Sequence, residues 1–248
     1  MRYNYFISRL FFLLLLVILP STLLSQEIAA DTSIEVVQKS RPRHFSVGVL
    51  GGLDRNYHIT DMSYMNDYSY SKYAPGYSFG IQFGYTPVQW LTIRMDGVLT
   101  EKNSYRSHVI TSYNTSFPDT TISGYFNLPL LLQLNVGRLV QLHAVGGGYV
   151  GYLLSRSRMG LTQGMNNIYY YSEPVDLDSP ESVIRDNRFD AGIVYGAGLS
   201  AVIAKMFEIG VEVRWYYGLT DTQKDYMAHL NPHYNTTFVM QGGLSYKF

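Results

Sequence analysis

Charged side chains at alternating positions are the first feature of this sequence that could carry chemistry. Glu208, Glu212 and Arg214 fall on one side of an alternating segment, and paired carboxylates beside an arginine are residue types that can serve as a general acid and base. Other segments place charges on the corresponding side. The complete set of candidates is Arg94, Asp96, His143, Asp190, Glu208, Glu212, Arg214 and Lys247.

Two glycine motifs resemble the fingerprint of a dinucleotide site. The segment GGGYVG, Gly146 to Gly151, matches G-x-G-x-x-G, and GAGLSA, Gly196 to Ala201, matches the variant that ends in alanine. Such a motif binds a dinucleotide when it follows a strand and opens a helix. Here an alternating pattern runs through both motifs, which favours glycines inside a small barrel. We therefore predict no cofactor.

His229 and His233 lie four residues apart in the segment HLNPH, a spacing that would align two metal ligands on a helix. Pro232 precedes the second histidine, and no third ligand stands at a helical spacing. The sequence therefore predicts ordinary loop histidines, with no metal ligand and no catalytic residue.

The elements that hold these residues alternate strictly between apolar and polar positions, which indicates β-strands with one apolar face. Eight segments have this pattern. They are Phe45–Leu53, Tyr77–Tyr85, Leu91–Thr100, Ile122–Asn135, Val140–Leu154, Phe189–Leu199, Phe207–Tyr217 and Thr237–Phe248.

The connections between these strands alternate between short and long. Tight turns span 86–89, 136–139 and 204–206, and long polar connections span 54–76, 101–121, 155–188 and 218–236. In a meander this places every long loop at one end. The sequence thus predicts an all-β fold, a transmembrane antiparallel up-and-down β-barrel of eight strands with short periplasmic turns and long extracellular loops.

The charged face decides which solvent surrounds the barrel. If the apolar face pointed inward, Phe207 and Trp215 would have to pack inside eight strands, whose lumen is too narrow for all such side chains. With the apolar face toward lipid, the eight candidate residues line the lumen with three positive and four negative charges besides His143. We predict a packed ionic plug rather than an acid–base site, because a barrel of this size leaves no aqueous channel.

The domain organisation follows from the first residues and the composition. Arg2 and Arg9 accompany an apolar run from Leu10 to Leu19, too short for a spanning helix of about 20 residues. We predict a signal peptide at 1–25, a flexible lead at 26–43 and the barrel at 44–248. Without the signal peptide, 17 basic residues face 19 acidic ones, so no basic stripe indicates nucleic acid. The 15% aromatic content is typical of a membrane interface.

The alternation in the last strand ends with Leu244, Tyr246 and Phe248 on its apolar side. This ending resembles the C-terminal signal that the barrel assembly machinery of bacterial outer membranes recognises. Expected partners are therefore that machinery, the lipid and lipopolysaccharide of the outer membrane, and secretion-system proteins, but no nucleic acid.

Five segments carry a family resemblance. They are ISGYFNLPLLLQLNVG, VQLHAVGGGYVGYLLS, FDAGIVYGAGLS, EIGVEVRWYYGLTD and GGLSYKF. From about Phe45 to Phe248 the chain resembles the PorT family of small outer-membrane barrels of Bacteroidetes. The resemblance implies location in the outer membrane and an accessory role in type IX secretion of proteases. It implies no catalytic residue.

These observations predict a non-enzymatic outer-membrane protein that is structural or accessory to export through partner contacts. Three alternatives remain open at this stage. The tyrosine-rich segments NYHITDMSYMNDYSYSKYAPGY and NNIYYYSEP could form an adhesive recognition surface, since exposed tyrosines are favoured at interfaces. A small barrel enzyme would need a nucleophile and base at the rim, and a narrow pore would need an emptier lumen.

Overall fold

The computed structural model describes residues 44–60, 69–110, 115–137, 139–163, 168–203, 206–224 and 233–248. The predicted signal peptide at 1–25 and lead at 26–43 lie outside these residues. Within the described ranges, no helix has the length and apolar content needed to cross a membrane.

Eight antiparallel strands pair side by side into a closed ring, which confirms the predicted fold class. The closure comes from two pairings, the first between the first and last strands and the second between the fourth and fifth strands of the ring. In chain order the ring strands are β1 (Phe45–Thr60), β3 (Ala74–Val88), β4 (Leu91–Glu101), β6 (Thr115–Gly137), β7 (Val140–Gln163), β9 (Phe189–Ile203), β10 (Phe207–Gly218) and β11 (His233–Lys247).

The long connections contain three further strands, β2 (Ser69–Lys72), β5 (Ser104–Ile110) and β8 (Ile168–Pro174), and one short helix, α1 (Pro180–Arg185). The strands pair in the order β2, β5, β6, β7, β8. Because β5 pairs with the first seven residues of β6 and β8 with the last seven of β7, these five strands form an external sheet beyond the barrel. The sequence predicts these segments to be loops, so the external sheet is a difference from the prediction.

Side-chain exposure follows the predicted alternation along the barrel-forming part of each ring strand. On β10, Arg214 is 0% exposed and its neighbour Trp215 is 40% exposed. On β6, Leu131 is buried and Leu130 and Leu132 are exposed. The aromatic and aliphatic face therefore points outward and the charged face inward, as the sequence predicts.

The opposite end of the barrel carries the tight turns. Between β3 and β4 the turn consists of Gln89 and Trp90. At the end of β6, Gly137 has a φ of 117°, a conformation that glycine adopts without steric cost. Short connections of this kind keep β3 beside β4 and β6 beside β7, so the register of the lumen-facing side chains is fixed from this end.

Candidate functional site

A network of ion pairs lies in the centre of the lumen. Arg214 donates from Nη2 to Asp96 Oδ2 over 2.7 Å, and Arg94 donates from Nη2 to Glu212 Oε1 over 2.9 Å. Arg94 Nε lies 3.3 Å from Asp96 Oδ1, and Arg214 also pairs with Glu212. His143 Nε2 lies 2.9 Å from Glu212 Oε2. These five predicted residues therefore contact one another, and we call them the central network.

The central network spans the lumen from wall to wall. Arg94 and Asp96 stand on β4, whereas Glu212 and Arg214 stand on β10, four strands away in either direction around the ring of eight. His143 joins the network from β7. Gly198 on β9 leaves room for the imidazole, because an added Cβ at that position would stand 2.5 Å from His143 Nε2.

Neutral polar side chains complete the hydrogen bonding of this network. Arg94 Nη1 donates to Gln133 Oε1 over 2.8 Å, Gln241 Nε2 donates to Glu212 Oε1 over 3.3 Å, and Arg214 Nη1 donates to Tyr216 Oη over 3.1 Å. All three partners are buried. The sequence places these three residues on the polar faces of their strands, and this position is the only sign of their role. They are uncharged, so a search for charged side chains does not find them.

A second cluster surrounds Asp190 nearer the loop end. Lys102 Nζ lies 2.5 Å from Asp190 Oδ2, and Asn235 Nδ2 donates to the same oxygen over 3.0 Å. The Lys102 ammonium also stands 4.8 Å from the ring centroids of Tyr125 and Tyr149. Sequence reasoning missed Lys102 because it follows the last alternating residue of its strand. Asp190 thus lines the lumen but belongs to this cluster and not to the central network.

Glu208 and Lys247 form a third pair at the tight-turn end. Their side chains are 12% and 27% exposed, so this pair is more exposed to solvent than the central network. The prediction of one network from eight residues is therefore too simple, because the structure divides them among three places along the barrel axis. Glu208 and Glu212 have different cationic partners and do not form a carboxylate pair.

Little space remains between these clusters. Asp54 is buried on β1 and accepts hydrogen bonds from Ser78 Oγ at 2.8 Å and Thr100 Oγ1 at 2.6 Å. A cavity beside Ser78, Thr100 and Tyr216 has a volume of about 10 Å³, roughly the minimum for one water molecule. Side chains therefore fill this part of the lumen.

A larger polar cavity lies at the loop end, between the external sheet and α1. Its volume is about 210 Å³. We call it the rim pocket. The charged and amide side chains on its walls are Asp119 of β6, Arg156 and Arg158 of β7, Arg185 of α1, Asp186 directly after α1, and Gln223 in the connection after β10. The sequence does not reveal this pocket, because all of its wall residues except Ser123 fall in segments that are predicted to be loops.

An ion-pair cluster attaches α1 to β7 beside this pocket. The Asp186 carboxylate accepts from Arg185 Nε at 3.0 Å and Nη2 at 3.1 Å, and Arg156 Nη1 lies 3.1 Å from its Oδ2. Burial alone would raise the pKa of Asp186, but the hydrogen bonds from Arg185 and the charge of Arg156 outweigh burial and hold that pKa below its ordinary value.

We expect α1 to loosen in acid. A carboxylate with a lowered pKa stabilises the folded arrangement fully above its ordinary pKa of about 3.9, and that contribution is lost as the pH falls through the lowered value. A spin label attached at Val183→Cys, in a chain without cysteine, should therefore report an immobile α1 from pH 7 down to about 4, and a mobile fraction that grows as the pH falls further toward the lowered pKa of Asp186.

Two matched variants isolate the role of Asp186. Asp186→Asn should leave the label mobile already at pH 7, whereas Asp178→Asn should leave it immobile, because the Asp178 side chain is 88% exposed. A label equally immobile in Asp186→Asn at pH 7 would contradict the attachment by this carboxylate.

The structure places both glycine motifs, and the described histidine of the HLNPH segment, in β-strands. Gly146–Gly151 lies inside β7 and Gly196–Ala201 lies inside β9, so neither motif opens a helix. His229 lies outside the described residues, and His233 begins β11. In the described part of the chain, no group of three or more His, Asp or Glu side chains is placed to hold a metal ion.

The three residues of the predicted assembly signal lie on the outward face of the closing strand. Leu244, Tyr246 and Phe248 are 46%, 38% and 59% exposed. Phe248 exchanges backbone hydrogen bonds with Phe45 at 2.9 and 3.2 Å, and their rings stack with centroids 6.1 Å apart. The last residues are thus part of the seam that closes the ring.

Sequence comparison identifies one family. A family model described as "Outer membrane protein beta-barrel domain" matches residues 36–224. No curated protein sequence matches the chain.

Several solved outer-membrane barrels have a similar fold. OprG from Pseudomonas aeruginosa is 10% identical over 83% of this chain and 97% of its own, with a TM-score of 0.47. Ail, the attachment invasion locus protein of Yersinia pestis, is 14% identical over 84% and 100%, with a TM-score of 0.39. The outer membrane protease OmpT from Escherichia coli is 8% identical over 84% and 98%, with a TM-score of 0.38. At such low values these similarities support no statement about a ligand or an activity.

Proposed function

The chain belongs to the outer membrane protein beta-barrel domain family, and on this premise we propose that it is a closed, non-enzymatic barrel that acts through partner contacts at its external sheet. Its location is the outer membrane of a Gram-negative cell. The observation that carries the proposal is the central network, in which Asp96 and Arg214 are both 0% exposed and join opposite walls of the lumen.

A filled lumen leaves the external sheet as the surface for function. Within the described residues no strand pairs with the outer edge of β8, and an unpaired edge can accept an extended segment of another protein by β-strand addition. Tyr169 and Tyr170 of β8 are 53% and 66% exposed. Rigid aromatic side chains of this kind are enriched where proteins contact partners.

The resemblance to the PorT family supports a more specific partner class, the proteins of a type IX secretion system. In this proposal the barrel is an accessory to protein export and performs no turnover. Lipopolysaccharide would surround its outward face, and the assembly machinery would read Leu244, Tyr246 and Phe248 during insertion. A surface-recognition role, such as adhesion, is the second candidate because the same exposed tyrosines would serve it.

We predict that the purified barrel does not conduct ions. Eight strands enclose an interior just wide enough for side chains, and the central network occupies it. Planar bilayers that contain the refolded protein should show no current steps above those of protein-free bilayers, while a porin inserted under the same conditions shows them. Reproducible steps from the native chain would reject the closed-lumen proposal.

The partner role is tested in cells that lack the gene. Export of surface proteases should fall when the gene is deleted and return when the native chain is supplied. Tyr73→Ser is the matched control and should also restore export, because Tyr73 is 61% exposed but lies beside β2, at the opposite edge of the sheet. The double variant Tyr169→Ser/Tyr170→Ser should insert normally but fail to restore export. Unchanged export after deletion would reject the secretion role, and loss of host-matrix binding under the same substitutions would favour adhesion instead.

A further inference from the structure

We propose that the rim pocket binds the phosphate group of a phosphorylated saccharide. This inference concerns a ligand site and is independent of the partner contacts proposed above. Its basis is the grouping of Arg156, Arg158 and Arg185 around one cavity at the loop end.

One arginine of the pocket wall is left for an anion. Three guanidinium groups line the pocket beside the carboxylates of Asp119 and Asp186, and Arg185 also pairs with Glu181 over 3.2 Å. Asp186 is shared between Arg156 and Arg185. In the described part of the chain, Arg158 forms no ion pair with a carboxylate. Its planar guanidinium is therefore available for the paired hydrogen bonds that arginine makes to phosphate oxygens.

A β-bulge aims the two β7 arginines into the pocket. Tyr125 pairs with Leu153 and Gly124 with Ser155, so Leu154 is the extra residue between them. Up to Leu153 the inward side chains of β7 have odd numbers, as for His143 and Tyr149, whereas beyond the bulge Arg156 and Arg158 face the cavity. Bulges commonly redirect side chains near functional sites, and without this one the two arginines would point to the outer surface.

The other wall groups and the volume fit a single sugar unit. Ser104, Thr121, Ser123 and Thr222 contribute hydroxyl groups, and Gln223 contributes an amide. Such groups donate to and accept from the hydroxyls of a saccharide. At about 210 Å³ the cavity is smaller than the roughly 300 to 1,000 Å³ of sites for drug-sized ligands, which favours one phosphorylated monosaccharide unit over a larger ligand.

The test uses the full refolded chain in lauryldimethylamine oxide micelles, because this detergent contains neither phosphate nor sugar. Calorimetric titration with glucose 1-phosphate should show binding, whereas glucose and inorganic phosphate should each bind more weakly. Arg158→Gln should weaken glucose 1-phosphate binding by at least about tenfold, since it removes charge-assisted hydrogen bonds. Arg55→Gln is the matched control, because Arg55 is an exposed arginine outside the pocket.

A competition experiment distinguishes the source of the phosphate. If purified lipopolysaccharide displaces glucose 1-phosphate from the native chain, the ligand is a phosphorylated sugar of the surrounding membrane; if it does not, the ligand is a soluble phosphorylated saccharide. Glucose 1-phosphate binding that is absent, unchanged in Arg158→Gln, or no tighter than that of glucose or inorganic phosphate would overturn the assignment. Heat-dependent gel migration of each variant shows that the barrel has folded.

Discussion

Arg214→Met is expected to destabilise the barrel by about 3 to 5 kcal/mol, the usual cost of removing one partner of a buried ion pair. Arg214 is fully buried and contacts Asp96, Glu212 and Tyr216. Without its guanidinium, two carboxylates share the single arginine Arg94 in a lumen that side chains fill. The measurement is the free energy of unfolding in urea, with the protein in lipid vesicles.

Two further variants separate charge pairing from lost packing. Lys247→Met removes the cation of the more solvent-exposed Glu208–Lys247 pair. It should lower the free energy of unfolding by no more than about 1 kcal/mol. Arg214→Met combined with Asp96→Leu removes both members of a pair and should be less destabilising than Arg214→Met alone, because an unpaired buried charge costs more than a missing pair. A loss below about 1 kcal/mol for Arg214→Met would contradict the central network as a stabilising element.

Leu130→Arg should lower the free energy of unfolding by about 2 to 4 kcal/mol, because a charged arginine on the lipid face near the middle of the bilayer is destabilising. Leu130 is 59% exposed and lies midway along the outward row of β6 from Phe126 to Leu134. Val136→Arg is the matched control on the same face, 71% exposed beside the tight turn, and should cost no more than about 1 kcal/mol. The same urea titration measures both variants, and equal costs would argue against a lipid-depth effect.

The ring of eight strands could be predicted from alternation and from the lengths of the connections, and its orientation from the charged side chains on one face and the large aromatic side chains on the other. Successive side chains of a strand point to opposite faces. Arg214 and Trp215 are neighbours in the sequence, so they must lie on opposite faces of β10. The external sheet could not be predicted in this way. Its strands extend beyond the lipid and can carry polar side chains on both faces, so segments such as β8, with consecutive tyrosines, show no alternation.

The grouping of the lumen charges needed the three-dimensional register. Arg94 and Glu212 are 118 positions apart in the sequence, and their contact depends on which strands face each other across the closed ring. Sequence polarity placed Asp190 and Lys247 in the lumen but could not give their height along the barrel axis. The inward direction of Arg156 and Arg158 depends on the bulge at Leu154, which strict alternation does not anticipate.

Above all, we infer that lipid surrounds the aromatic face of the barrel. The chain contains two tryptophans, so Trp90→Phe leaves Trp215 as the single tryptophan, 40% exposed on the outward face of β10. Its fluorescence in vesicles of brominated phosphatidylcholine measures contact with acyl chains directly. We predict strong quenching by the brominated lipid and little quenching by aqueous iodide, whereas quenching by iodide without quenching by brominated lipid would contradict the claim.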